Sequence, residues 1–283
     1  MSSHSYNLDV LTQQLTNLNG FQYIATGGQK TVYVANHNQH GRVALKILLP
    51  NSSPGRFDRE IASVNAIKNG RVPQVYESGR LADPYHDHLW LIEQWVDGVS
   101  LRDRLAQGVI SNKLILQIAF DILNVLVEAE TLKIVHRDIN PNNILIATDE
   151  SCCWLVDFGI ARHLDLTSLT AGLMPHTLGY APLEQLNCLK SDIDARTDLF
   201  SLGVTLYECV EGINPYTNGV NSAEEVIHRM STIICPDVSR QVDNKGDLKN
   251  LISAMTRHKR TQRIATAADA CQWIHEIYDL GAV

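Results

Sequence analysis

The sequence lacks any apolar run near the ~20 residues that a bilayer-spanning helix needs, and its opening stretch, "MSSHSYNLD", is polar. No secretory leader and no membrane partner are expected from it. No C-x-x-C pair occurs among its cysteines at 152, 153, 188, 209, 235 and 271, so spacing offers neither a zinc site nor a dithiol redox motif. Several of these cysteines fall in apolar segments, where the residue behaves as a small buried hydrophobe. The expectation is a reduced, cytoplasmic protein. Positive charge is also scarce. With 24 Lys+Arg against 31 Asp+Glu the net charge is −7, without the surplus that a nonspecific nucleic-acid binder carries, and no nucleic-acid partner is expected. No internal repeat or low-complexity stretch is visible. His37, His40, His86 and His88 stand in two short clusters with no further Cys or His nearby to complete a metal site, and they read as solvated turns.

What is present is ordinary globular material: 283 residues, 45% hydrophobic and 19% charged, enough for one or two domains with a sizeable core. Leu8, Leu11, Leu15 and Leu18 recur three or four apart, a one-sided helical stripe with Asn19-Gly20 as its stop. The expectation is that this stripe packs on the chain's own small lobe, with a dimer contact as the alternative. Residues 21–50 read as three strands separated by glycine-containing turns. Residues 55–69 read as a helix, and "QVYESGR" and "HLWLIEQWV" as two more strands. From about residue 100 helices dominate, one opening on a capping box, Ser222 and Glu225. The class is α+β. The expected organisation is a helical extension over 1–20, a small β-rich lobe over 21–95 with one key helix, and a larger, mainly α-helical lobe over 96–283. A ligand cleft is expected between the two lobes.

Four separated stretches carry chemistry. "VALK" (43–46) ends an apolar strand on Lys46, and Glu60 follows in the helix "RFDREIASV". "HRDINPNN" (136–143) sets Asp138 five residues before Asn143. "VDFGIAR" (156–162) sets Asp157 nineteen residues after Asp138 (157 − 138). "HTLGYAPLEQ" (176–185) is followed by "TDLFSLGVTLYE" and "TQR". Each is weak alone; their order and spacing together are specific. Over residues 21–275 they resemble the signature set of the eukaryotic-type Ser/Thr protein kinases, most closely the soluble bacterial members.

The resemblance implies a two-lobed protein-kinase fold and ATP-dependent transfer of the γ-phosphoryl group to Ser/Thr hydroxyls of a protein substrate, including the chain's own activation segment. It implies ATP and Mg²⁺ as cofactors. Asp138 is the implied catalytic aspartate, with Lys46 on the α- and β-phosphates and Glu60 as its partner. Asn143 and Asp157 are the implied metal ligands. Ala25, Gly27, Gly28, Lys30, Val32, Ala44, Lys46, Gln94, Val96 and Leu145 are the implied nucleotide-binding residues. Glu184 is placed to pair with Arg263, and Asp198 to brace the catalytic loop. Arg137 implies regulation by phosphate on the segment holding Thr167, Ser168 and Thr170, with Ser168 and Thr170 preferred. Thr177 matches the threonine set near the catalytic aspartate.

Four departures stand out. The glycine loop, "ATGGQKTV" (25–32), keeps only Gly27 of the usual three, with Gly28 added beside it. Asn140 stands where a lysine supports the γ-phosphate, and either Lys30 supplies that charge from the glycine loop or it faces solvent. Glu93 occupies the gate position behind the adenine, unless the register is one residue off, and could compete with Glu60 for Lys46. Leu183 stands where proline is usual. The first three favour an alternative, a pseudokinase that binds nucleotide or partner without transfer, whereas Leu183 bears on local rigidity more than on chemistry; the intact Lys46, Glu60, Asp138, Asn143 and Asp157 favour the enzyme. A small-molecule kinase is disfavoured by the activation segment. Substrate, activating signal and oligomeric state are not encoded in any motif.

Overall fold

A computed structural model describes residues 6–27, 30–48, 54–82, 87–158 and 178–279. The chain divides into two compact units. The first takes its described residues from Met1–Ala66 and Pro73–Val96, the second from Ile67–Val72, Asp97–Gly159 and Leu166–Val283.

The first unit is built on five antiparallel strands in the order β1-β2-β3-β5-β4. These are β1 (Leu18–Thr26), β2 (Lys30–His37), β3 (Gly41–Leu48), β4 (Val75–Ala82) and β5 (Asp87–Gln94). Helix α1 (Leu8–Gln14), capped by the Asn7 side chain on Asp9 N–H, precedes them. Leu11 and Leu15 join Tyr33, Val43, Leu45, Ile47 and Ile92 in one hydrophobic cluster, as the leucine stripe suggests. The helix is shorter than the stripe: it stops at Gln14, and Leu18 already belongs to β1. Gly20 is therefore no helix stop. It has φ 67° within a register shift of β1 between Asn19 and Gln22, a β-bulge conformation that glycine adopts without strain. Helix α2 (Pro54–Ala66) opens on proline, whose missing N–H costs nothing at a first helical position. It buries Phe57, Ile61 and Val64, four and three apart.

His37 and His88 are buried rather than solvated. His37 Nδ1 accepts the N–H groups of Gln39 and His40, and its Nε2 lies 3.0 Å from Glu77 Oε1. His88 Nδ1 lies 2.7 Å from the Tyr6 hydroxyl. His37 thus closes the β2–β3 turn, and His88 ties Tyr6 to the sheet.

The second unit carries a small antiparallel sheet, β6 (Gly98–Ser100), β7 (Ile144–Ala147) and β8 (Cys153–Leu155). Its helices are α3 (Leu101–Ala106), α4 (Asn112–Thr131), α5 (Leu183–Leu186), α6 (Ala195–Glu211), α7 (Ala223–Thr232), α8 (Asp247–Met255) and α9 (Ala267–Asp279). α4 and α6 are apolar around most of their circumference and form the core. Gly203 lets α6 approach α8 closely, since a Cβ there would stand 2.7 Å from Thr256 Cγ2. α6 ends on Gly212 in the left-handed conformation, φ 77°. Among the described residues no helix is long and apolar enough to cross a membrane.

Candidate active site

In the first unit, register decides which side chains share a face. Residues paired across antiparallel strands point the same way, and alternate residues along a strand do too. The pairs Ala25–Val32, Lys30–Leu48, Val32–Lys46, Ala44–Glu93 and Lys46–Leu91 put Ala25, Lys30, Val32, Ala44, Lys46 and Glu93 on one face. The cluster around α1 occupies the other. Six residues singled out from sequence thus converge on a single surface. The register also settles which residue of "EQWV" faces Lys46: it is Glu93, while Gln94 pairs with Val43 on the opposite face.

Lys46 Nζ forms an ion pair with Glu93 Oε1, and both side chains are about nine-tenths buried. Gly27 N–H donates to Lys30 O at 2.9 Å and closes the β1–β2 turn. Gln94 N–H donates to Gln74 O at 2.9 Å, and Val96 is buried. Gly28 lies outside the described residues, as does the side chain of Glu60, which stands on α2.

In the second unit the catalytic-loop candidates are bound to one another. Asn140 Nδ2 donates to Asp138 Oδ1 at 2.9 Å, and Asn143 Nδ2 donates to Asp138 Oδ2 at 3.0 Å. Both amides also donate to Asp138 O. Each carboxylate oxygen is thus held by a neutral amide. Asn140 is buried, and its Oδ1 accepts the backbone and side-chain N–H groups of Asn142 at 3.0 Å each. Both ends of the amide are used.

The loop is anchored from below. Asp198, in the first turn of α6, accepts His136 N–H at 2.7 Å and Arg137 N–H at 2.8 Å, the bracing role expected of it. Burial pushes the Asp198 carboxyl up to about 7, against the Arg137 and His136 N–H groups, which favour the carboxylate. His136 is fully buried. Its Nδ1 accepts Asp138 N–H, which leaves Nε2 as the donor to Val156 O at 3.0 Å. Its ring packs on Phe158, centroids 4.5 Å apart. Val156 N–H donates to Asn143 O at 2.9 Å, so the β7–β8 hairpin brings the backbone preceding Asp157 to Asn143. Arg137 and Asp157 both have positive φ, 66° and 63°. Such strain persists where surroundings over-determine it and gathers at functional sites. Leu145 lies on β7, paired with Trp154 and half-buried.

Glu184 and Arg263 form the expected pair, at 2.6 Å and 3.1 Å, with both side chains buried. Thr197 Oγ1 and the carbonyls of Arg196, Arg257 and His258 complete the hydrogen bonds of the pair. Gln185 Nε2 donates to Arg137 O at 2.8 Å, tying this segment to the catalytic loop. A further cluster escapes sequence reasoning: Arg102 donates to both Tyr180 and Glu208, which also bond each other. These residues stand 28 to 106 positions apart, and no local pattern links them. Thr167, Ser168, Thr170 and Thr177 lie outside the described residues.

Asn143 and Asp157 offer an amide and a carboxylate oxygen, hard donors suited to Mg²⁺. The two donations from Asn143 Nδ2 orient its amide and leave its oxygen as the ligand end. Among the described residues no three His, Cys, Asp or Glu gather into a metal cluster. A small divalent ion with few protein ligands and additional phosphate and water oxygens fits this donor set.

A family model described as protein kinase domain matches residues 19–275. The chain is 31% identical over 262 residues, 88% of its length, to a probable serine/threonine-protein kinase PknB of Bifidobacterium longum. It is 30% identical over 255 residues, 87% of its length, to the serine/threonine-protein kinase PknJ of Mycobacterium tuberculosis. It spans only 38% and 42% of those two relatives. The solved kinase domain of Mycobacterium tuberculosis PknI shares the fold, with TM-score 0.68 at 21% identity, covering 92% of this chain and 96% of that one.

Proposed function

The chain belongs to the protein kinase domain family, and from that premise we propose that it transfers the γ-phosphoryl group of ATP to Ser or Thr hydroxyls of proteins, its own activation segment included. The observation that carries this reading is the Asp138 carboxylate held on both oxygens by Asn140 and Asn143 beside the hairpin that leads into Asp157.

In this reading Asp138 orients the substrate hydroxyl and accepts its proton as the hydroxyl oxygen bonds to the γ-phosphorus and the bond to the β-phosphate oxygen breaks, releasing ADP. Lys46 holds the α- and β-phosphates, with Glu60 as a partner. Asn143 and Asp157 hold Mg²⁺. When bound, the ion neutralises phosphate charge. Ala25, Gly27, Gly28, Val32, Ala44, Val96 and Leu145 line the nucleotide, and Gln94, whose side chain is on the opposite sheet face, contributes its backbone only. Lys30 shares the sheet face of Lys46, which supports it as the replacement for the cation missing at Asn140. Arg137 receives a phosphate carried by Ser168 or Thr170, and Thr177 borders the catalytic aspartate. Residues 21–95 and 96–283 serve as the two lobes. A cytoplasmic location, where ATP is supplied, is supported by six cysteines that form no disulfide.

Incubating the protein with γ-labelled ATP, alone and with generic protein substrates, tests the reading against Asp138→Ala. Label on Ser or Thr in the wild type and none in the variant is expected. Nucleotide binding without transfer would make the chain a pseudokinase instead.

A further inference from the structure

We propose that Glu93 is a positioning residue for Lys46, orienting the lysine from within the sheet. This rests on the kinase reading above. Ladder geometry carries it. Ala44 pairs with Glu93 and Lys46 with Leu91, so Lys46 and Glu93 are diagonal neighbours on one sheet face, a separation two long side chains span. Their charged ends meet, and both side chains are about nine-tenths buried. A carboxylate buried to that degree is retained only when paired.

Glu60 belongs to α2, which packs on the sheet through β4. Glu93 belongs to β5, which is hydrogen-bonded directly to the strand of Lys46. A side chain on the neighbouring strand keeps its distance from Lys46 whatever α2 does. Glu93 therefore fixes the direction of the ammonium group while subtracting positive charge from the site. Its removal has opposed effects: Lys46 loses orientation, which slows transfer, and the phosphates lose a repelling anion, which favours binding. A merely structural residue would weaken both.

The test uses the full chain with Glu93→Gln, which keeps the shape, and Glu93→Met, which keeps the volume without polar atoms. The expected result is a kcat at saturating ATP lowered by about tenfold or more, with ATP binding unchanged or tighter. A second readout does not depend on transfer. Reductive methylation of Lys46 in the nucleotide-free protein, followed by peptide mass spectrometry, should become about fivefold faster in Glu93→Gln, because an opposite charge favours the unreactive ammonium form. The acceleration in Glu60→Gln should be smaller. Unchanged Lys46 methylation in both Glu93 variants overturns the proposal, as does an unchanged kcat in an active enzyme. A wild type that transfers nothing while Glu93→Gln still exposes Lys46 overturns the kinase reading alone.

Discussion

Both carboxylate oxygens of Asp138 are held by side-chain amides. Where the resemblance leads one to expect lysine, Asn140 is buried and uses its nitrogen on Asp138 and its oxygen on Asn142. Lysine has no acceptor and could not make the second bond. Asn140→Ala is expected to lower kcat about tenfold by releasing one carboxylate oxygen, with nucleotide affinity retained; equal kcat values for variant and wild type would remove Asn140 from the site. Lys30→Ala should lower kcat at saturating ATP, and an unchanged value would return Lys30 to the role of a solvent-facing charge. At this scale the sequence was most legible where chemistry is compressed into a few neighbouring residues. Asp138 and Asn143 lie five apart, and their side chains meet. The burial of His37 was not legible, because its partner Glu77 lies forty positions away and a turn histidine gives no local sign of one. Glu93 was conspicuous as a charge in an apolar strand, but only cross-strand register shows that it meets Lys46.

Two capping and bracing groups hold the elements of the second unit. Glu184 and Arg263 are both buried and bonded in two places, so Glu184→Ala leaves a buried guanidinium uncompensated. A loss of about 3–5 kcal/mol is expected in chemical denaturation. Asp243 accepts the N–H groups of Lys245, Asp247 and Leu248 at the start of α8. Burial raises its carboxyl, but the N–H groups of Leu248, Asp247 and Lys245 outweigh that and hold it below the ordinary carboxylate value. A lowered folded value makes its contribution present above the unfolded value and lost as pH falls through the folded one. Wild type and Asp243→Ala should therefore differ by about 1–2 kcal/mol at neutral pH, and the gap should close as pH drops below about 4. A gap independent of pH from neutral to strongly acid would show that the carboxylate charge plays no part. Element type was readable for α2 from its apolar spacing, and for α4 and α6 from long, mostly apolar runs. Their ends were less so. The leucine stripe continues past Gln14 because Leu15 and Leu18 enter the same cluster from non-helical backbone. Spacing alone cannot separate a helix from a turn that follows it.

At the level of the whole molecule, each unit contributes a compact set of candidate residues: Lys46 and Glu93 on one sheet face, and Asp138, Asn140 and Asn143 in one hydrogen-bonded loop. The family match over residues 19–275 agrees with motifs spread along nearly the full chain. α1 is part of the first unit's core, and Leu11 is fully buried. Leu11→Ala should lower stability by about 2–5 kcal/mol, whereas a change near zero would mean the helix is dispensable to the sheet. Asp138 carries the proposed phosphoryl transfer. Measuring kcat and the ATP dissociation constant side by side for wild type and Asp138→Asn should show phosphoryl transfer to Ser or Thr in the wild type, a fall of about 10²–10⁴-fold in the variant and nearly equal nucleotide affinity. Equal transfer rates in the two proteins, or none in either, would contradict it.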